Sequence, residues 1–370
     1  MDSTHSVSNP RSLRVAFVSV VLALVSSGCS GCKDGSSSSP YNKQGSPTVY
    51  NGVTAPPARE KANNMAELEG VQFDSASRIQ VTLRNEMAKA SDIFTPALTC
   101  PPASVTIDGT VEAIKGISEF SGSGSEIYLS RNGKYAYKVI VPHSGLYENL
   151  AREKAVLSVV GDLKNSTVAM RAFTNPSISA GCRQRSMVTD FGGRHQLFDI
   201  RGAGEKTIAK VAARLIAIIR EVHSHGVVHG DVHMFNVVVE SLSDPLKGLK
   251  LIDFGRSTPF VDASKREHVK FSRVPVDSNL NPILLSPFEL EGSPLARRDD
   301  MYRLSEVLYI LLHVPIPDIY RLEDVAREKR RWAANRFPTF TQFHHEMRDL
   351  TFAERPDYEF WIEKFTSIAQ

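Results

Sequence analysis

Cysteine and tryptophan are scarce in this chain, four and two among 370 residues. So few cysteines exclude a scaffold built on disulfides. The "CSGC" of Cys29 and Cys32 has no second pair to complete a four-ligand zinc site. A strong charge of one sign is also missing. The formal net charge is +3, with no concentrated basic face of the kind nucleic acid requires, so no nucleic-acid partner is expected.

Long hydrophobic runs are absent too. The longest apolar stretch, Val15 to Val25, covers eleven residues, whereas a bilayer-spanning helix needs about 20. Arg11 and Arg14 precede it and small residues follow, which is the order of a secretory signal. We therefore expect residues 1–28 to be a cleaved signal peptide, the protein to be secreted or lumenal, and the mature chain to have no transmembrane span. Lipid anchoring at Cys29 is the minor alternative, because Ser26 fits that signal poorly. Residues 29–74, rich in Ser, Gly, Pro and Asn, read as a flexible low-complexity linker. In an oxidising compartment Cys100 and Cys182 could pair; two separate buried thiols are the alternative.

What is present suits a globular enzyme, with 42% hydrophobic and 23% charged residues. "SASRIQVTLRNEMAKASDIF" has helical spacing and marks residues 75–110 as an N-terminal extension packing on the domain that follows. From 111 to about 192 short β-type runs dominate, among them "EIYLS", "KYAYKVIV" and "RSMVTDF", with one helical stretch, "LYENLAREKAVLSVVGDL". From about 193 to 370 the period is mostly helical. This order predicts an α+β domain over 111–370, with a β-rich N-lobe and a helical C-lobe.

The polar residues that interrupt these elements fall in the chain order that phosphoryl transfer needs: groups for the phosphates, ligands for a metal, and a group for the incoming hydroxyl. Gly122 and Gly124 in "FSGSGSEIYL" lie between two strand-like runs, where bare backbone can approach phosphates. Ser/Gly turns between strands are common, so this is weak by itself. Lys138 stands among apolar strand neighbours, which requires a partner unless the strand is an exposed edge. Glu153 is the preferred partner and Glu148 the second choice.

In "HGDVHMFNVVVE", Asp231 and Asn236 are five apart and can face one cleft from a loop. The carboxylate would accept or orient a hydroxyl proton, and the amide oxygen would hold a metal. Asp253, at the end of the apolar "LKLIDFGRS", supplies a second metal-type oxygen. The other Asp-Phe-Gly triplet, Asp190 to Gly192, precedes this loop. It would instead form the hinge between lobes, where Asp190, Phe191 and Gly192 present backbone groups to an adenine.

Taken together, Lys138, Glu153, Asp231, Asn236 and Asp253 resemble the protein kinase family in order and spacing, over about Val111 to Phe365. "ARRDDMYRLSEVLYILL" and "LTFAERPDYEFWIEKF" are similar to the casein kinase one and vaccinia-related kinase group. The resemblance implies a bilobal fold, ATP and Mg2+ as cofactors, and transfer to serine or threonine of a protein. It implies that Asp300 braces the catalytic loop and that Glu289 pairs with Arg355. It also implies an acidic or already phosphorylated substrate for the basic residues Lys265, Arg266, Lys270 and Arg273.

Three positions depart from the pattern. Ile127 stands near the place of a third phosphate-loop glycine. Gly230 replaces the arginine that would clamp an activation-loop phosphate, so activity without that switch is expected. His233 replaces a lysine, and "HGDVH" also resembles aminoglycoside-type small-molecule phosphotransferases. A small-molecule kinase and a nucleotide-binding pseudokinase are therefore the rival readings.

Overall fold

The computed structural model describes residues 67–88, 104–115, 120–121, 125–140, 147–161, 163–174, 186–276, 280–314, 322–332 and 336–370. The expected signal peptide, most of the linker, all four cysteines, and Gly122 and Gly124 lie outside the described residues.

Alternating burial builds the smaller lobe. Strands β1 (Ser104–Ile107) and β2 (Thr110–Ala113) form a hairpin across Asp108 and Gly109. Both of these have positive φ, 48° and 78°, the conformation that matches a tight hairpin to strand twist. Strands β3 (Phe120–Ser121), β4 (Ser125–Leu129), β5 (Tyr135–Ile140), β6 (Met170–Thr174) and β7 (Ser186–Asp190) form an antiparallel sheet in the order β3-β4-β5-β7-β6. Tyr137 and Val139 of β5 join Ile107, Ile114, Tyr128 and Val188 in a core on one side. Side chains alternate along a strand, so Lys138 points to the other side. It sits in the central strand, in register with Ile127 and Met187, and not at a sheet edge.

A packed pair of helices, the second of which contacts β6 and β7, lies beside the sheet. Helix α1 (Phe73–Ala88) packs against α2 (Tyr147–Val160). Along α2, Leu150, Glu153, Leu157 and Val160 are buried at spacings of three and four, one helical face. Glu153 is thus carried inward by the same periodicity that buries its apolar neighbours. Lys154, one residue on, meets the buried Glu86 of α1 at 2.8 Å. The α1 helix also reaches the larger lobe. Gln72 N–H donates to Ser224 O, Gln80 Nε2 donates to Val261 O, each at 2.6 Å, and Ala76 packs with Val228, Phe260 and Val261.

The larger lobe is helical: α3 (Glu205–Ser224), α4 (Pro287–Leu290), α5 (Arg297–Leu311), α6 (Leu322–Arg331), α7 (Pro338–Asp349) and α8 (Tyr358–Ala369). Helices α3 and α8 pack together, and α7 packs on α5. Buried on nearly every side, α5 includes Asp299, Asp300, Arg303 and Glu306 among its buried residues. Charges so placed need partners from elsewhere, and those partners organise the site.

Short strands hold the loops between the lobes. Strands β8 (His195–Gln196), β10 (Val237–Val239) and β11 (Lys250–Leu251) form one sheet; β9 (Val227–Val228) pairs with β12 (Thr258–Pro259), and β13 (Val261–Asp262) with β14 (Glu267–His268). The loop 229–236 leaves β9 and enters β10, and Asp253 follows β11. The expected bilobal α+β arrangement is the one observed.

Candidate active site

Lys138 Nζ stands 2.7 Å from Glu153 Oε2 and 2.8 Å from Asp253 Oδ1. One ammonium therefore joins the sheet, α2 and the segment after β11. Burial works against the charge on Lys138, yet Asp253 and Glu153 together raise its pKa above the usual lysine value. Burial pushes the Glu153 carboxyl up to about 7, although Lys138 pulls it down. Asp253 has a left-handed backbone (φ 64°), and its Oδ1 accepts from Gly255 N–H at 3.3 Å. This turn aims the carboxylate back at Lys138 while its side chain stays 41% exposed toward solvent.

Asp231 is held on both edges. At Oδ1, Arg303 Nη1 lies at 3.2 Å and Arg256 Nη1 at 3.6 Å. At Oδ2, Asn236 Nδ2 donates at 3.0 Å and His233 Nε2 lies at 3.3 Å. His233 Nδ1 accepts from Phe235 N–H at 3.2 Å, which leaves Nε2 to carry the proton and donate to Asp231. Burial alone would raise the Asp231 pKa, but His233, Arg303 and Arg256 hold it far below the ordinary carboxylate range. Asn236 spends its amide donor on the Asp231 side chain and carbonyl. Its Oδ1 is then the ligand-type atom, as is the oxygen of Asp253 that does not meet Lys138.

The loop itself hangs from α5. Asp300 accepts from His229 N–H at 2.6 Å and Gly230 N–H at 2.8 Å, and meets His223 Nε2 at 2.8 Å. This agrees with the bracing role expected of Asp300. His229 lies beneath the loop, donating to Ile252 O at 3.0 Å and stacking edge-on with Phe254.

The hinge expectation is narrowed. Asp190 N–H donates to Ala169 O and Phe191 N–H to Lys134 O, while the Asp190 carboxylate forms a two-pronged pair with Arg171 at 2.7 Å. Two of the three hinge N–H groups are thus spent on neighbouring backbone. Gly192 lies against Val238 and Ile252, close enough that a Cβ would come within 2.9 Å of Val238 Cγ2. Those two side chains join the hinge to the residues carrying Asn236 and Asp253. A recess of about 280 Å³ beside the hinge is lined by Phe191 to Arg194, Glu240, Ser241 and Lys247; the charged set is not part of its wall.

One expected pairing is corrected. Glu289 does not meet Arg355. It meets Arg303 at 2.6 Å and Arg256 at 2.8 Å. Arg355 instead pairs with Glu359 at 3.1 Å and lies over the Tyr358 ring. The reason is local: Arg355 has a carboxylate one helical turn away, whereas buried Glu289 faces the charged side of α5. Sequence reading also missed Arg256 and Arg303 as neighbours of Asp231. For Arg303 the available signal was a cluster of charges, Arg297 to Glu306, in a helix whose remaining residues are largely apolar.

No family model matches the chain. It is 26% identical to casein kinase I homolog 1 of Saccharomyces cerevisiae over 177 residues, 44% of this chain and 33% of that protein. It is 26% identical to a probable SapB synthase of Streptomyces coelicolor over 246 residues, 60% of this chain and 24% of that protein. Against serine/threonine-protein kinase pkn3 of Myxococcus xanthus it is 25% identical over 113 residues, 30% of this chain and 20% of that protein. The matched part spans a third or less of each of these relatives. In its bilobal α+β fold and in these partial matches the chain is similar to the protein kinase superfamily, with its likeness running to casein kinase I.

Proposed function

We propose that the protein transfers the γ-phosphoryl group of ATP to serine or threonine hydroxyls of a protein substrate. The observation that carries this reading is Lys138 held at 2.7 and 2.8 Å between Glu153 and Asp253, with Asp231 and Asn236 on the adjoining loop. The donors fit magnesium: one carboxylate and one amide oxygen, a set that leaves room for phosphate oxygens and water. Magnesium, when bound, would neutralise charge that develops between the phosphates. Lys138 would hold the α- and β-phosphates, its position fixed by Glu153. Asp231 would accept a hydrogen bond from the acceptor hydroxyl and take its proton as the new O–P bond forms and the β–γ bridge breaks, ADP leaving. Asp190 to Gly192 would meet the adenine through their remaining backbone groups, and Gly122 and Gly124 would cover the phosphates.

An acidic or phosphorylated substrate is supported by fewer residues than the sequence suggests. All four cations are exposed, but Lys265 pairs with Asp262 at 2.9 Å and Arg266 lies over the Phe73 ring, so Lys270 and Arg273 are the two offered to it without such a competing contact. The residue order of 1–28 supports a secretory route, and fractionation of tagged full-length protein tests that.

His233 beside Asp231 favours a second reading, a small-molecule acceptor. Incubating the full chain with γ-labelled ATP and Mg2+, with acidic proteins in one arm and amino sugars in the other, separates the two. Label on protein supports the first reading. Label only on small acceptors supports the second, and nucleotide binding with no transfer supports a pseudokinase.

A further inference from the structure

The cations at Asp231 do not come from its own loop. Gly230, just before it, has φ 74°, and a Cβ there would meet Arg256 O at 2.7 Å and Leu295 Cδ1 at 2.9 Å. No side chain fits that position. The two guanidinium groups arrive instead from separate elements, Arg303 from the middle of α5 and Arg256 from the turn behind Asp253.

Glu289 holds both from behind. Its Oε1 accepts from Arg256 Nη2 at 2.8 Å and its Oε2 from Arg303 Nη2 at 2.6 Å. It is fixed in turn by a reciprocal cap on α4: Ser286 N–H donates to Glu289 Oε2 at 2.9 Å, and Glu289 N–H donates to Ser286 Oγ at 3.1 Å. The Ser286 hydroxyl also bonds to Asp299 of α5. The result is an alternating set, Asp231, two arginines, Glu289, with no net charge. Arg303 is 2% exposed and Glu289 8%, so neither charge has water as a substitute partner.

Arg256 lies near the beginning of the segment 253–289, and Glu289 is its last residue. Both ends therefore meet at one ion cluster, and that cluster touches the carboxylate on which transfer depends. We infer that Arg303, Arg256 and Glu289 form a positioning device for Asp231, in which seating of the segment end orients the carboxylate with no phosphate on the segment. This rests on the reading of Asp231 as the hydroxyl-orienting group. Arg303 and Arg256 are positioning residues here, since they act through Asp231. The device leaves the nucleotide contacts of Lys138 untouched.

The test uses the full chain with Glu289→Gln, which keeps the shape and removes the charge. We expect kcat to fall by about 10- to 100-fold, the scale of a displaced catalytic group, with the KM for ATP changed less than about twofold. Arg303→Lys should retain more kcat than Arg303→Met. Arg256→Gln, at the half-buried rim, serves if the buried variants do not fold, and should lower kcat several-fold. An unchanged kcat in Glu289→Gln, or an equal loss through the ATP KM, overturns the inference. A second measurement needs no activity: urea unfolding of Asp231→Asn, Glu289→Gln and the double variant. Non-additive stabilities support the device, and additive ones overturn it. If the unaltered protein transfers no phosphate, the proposed function fails, and the unfolding cycle still decides the positioning device.

Discussion

The two halves of the site are built differently. The half proposed to hold the nucleotide uses one cation between two carboxylates, Lys138 with Glu153 and Asp253, at 2.7 and 2.8 Å. The half proposed to meet the acceptor uses one carboxylate among several donors, Asp231 with Arg303, Arg256, His233 and Asn236 at 3.0 to 3.6 Å. The first is short and organised around a lysine from the middle of a sheet. The second is looser and draws on a helix and on both ends of a long segment. Burial, with Asp253 adding to it, pushes Glu153 up to about 7, while His233, Arg303 and Arg256 outweigh burial and hold Asp231 ionised far below that. Nucleotide binding should therefore respond to pH where hydroxyl orientation does not.

The largest effects should separate the halves by step. Asp231→Asn should lower kcat by about 10²- to 10⁴-fold, the usual share of a proton-accepting group, with nucleotide affinity intact by titration calorimetry. Lys138→Met should weaken both nucleotide binding and transfer. It also strands a buried Glu153, at about 3–5 kcal/mol of stability in urea unfolding. If the two variants gave the same defect, the division into halves would be lost.

Acidification gives the next effect. Below about 7 Glu153 takes up a proton, and Lys138 loses one of its two anionic partners. Affinity for ATP analogues should then fall as pH drops from 8 to 6, by up to about tenfold per unit below the pKa. Glu153→Gln should flatten that profile at the weak end. A profile unchanged by the substitution would assign the titration to another group.

Smallest should be His233→Lys. It adds a cation where two arginines already face Asp231, at a half-buried position, so about 0.2–1 kcal/mol, a few-fold in kcat, is the expected size. A large gain in transfer to protein acceptors would mean that His233, and not the arginines, sets the character of this half.

The sequence revealed the nucleotide half more fully, for a physical reason. A lysine in an apolar strand must be paired, and helical spacing puts Glu153 on the buried face of its helix. Asp231, Asn236 and Asp253 were legible as oxygens at strand ends. Arg303 was not, because helical periodicity says which residues are buried but not what an interior charge meets across the fold. Glu289 was assigned to Arg355 by resemblance, and the pairing failed because Arg355 finds Glu359 a turn away. The hinge was legible as a place, but the backbone bonds of Asp190 and Phe191 to Ala169 and Lys134 needed the sheet register.

The most direct test is single-turnover transfer from γ-labelled ATP with Mg2+, using the full-length protein and its Asp231→Asn variant, with and without a chelator. The account predicts label on serine or threonine that is lost in the variant and in the chelator. Equal label from Asp231→Asn, or none from the unaltered protein although it binds ATP, would contradict it.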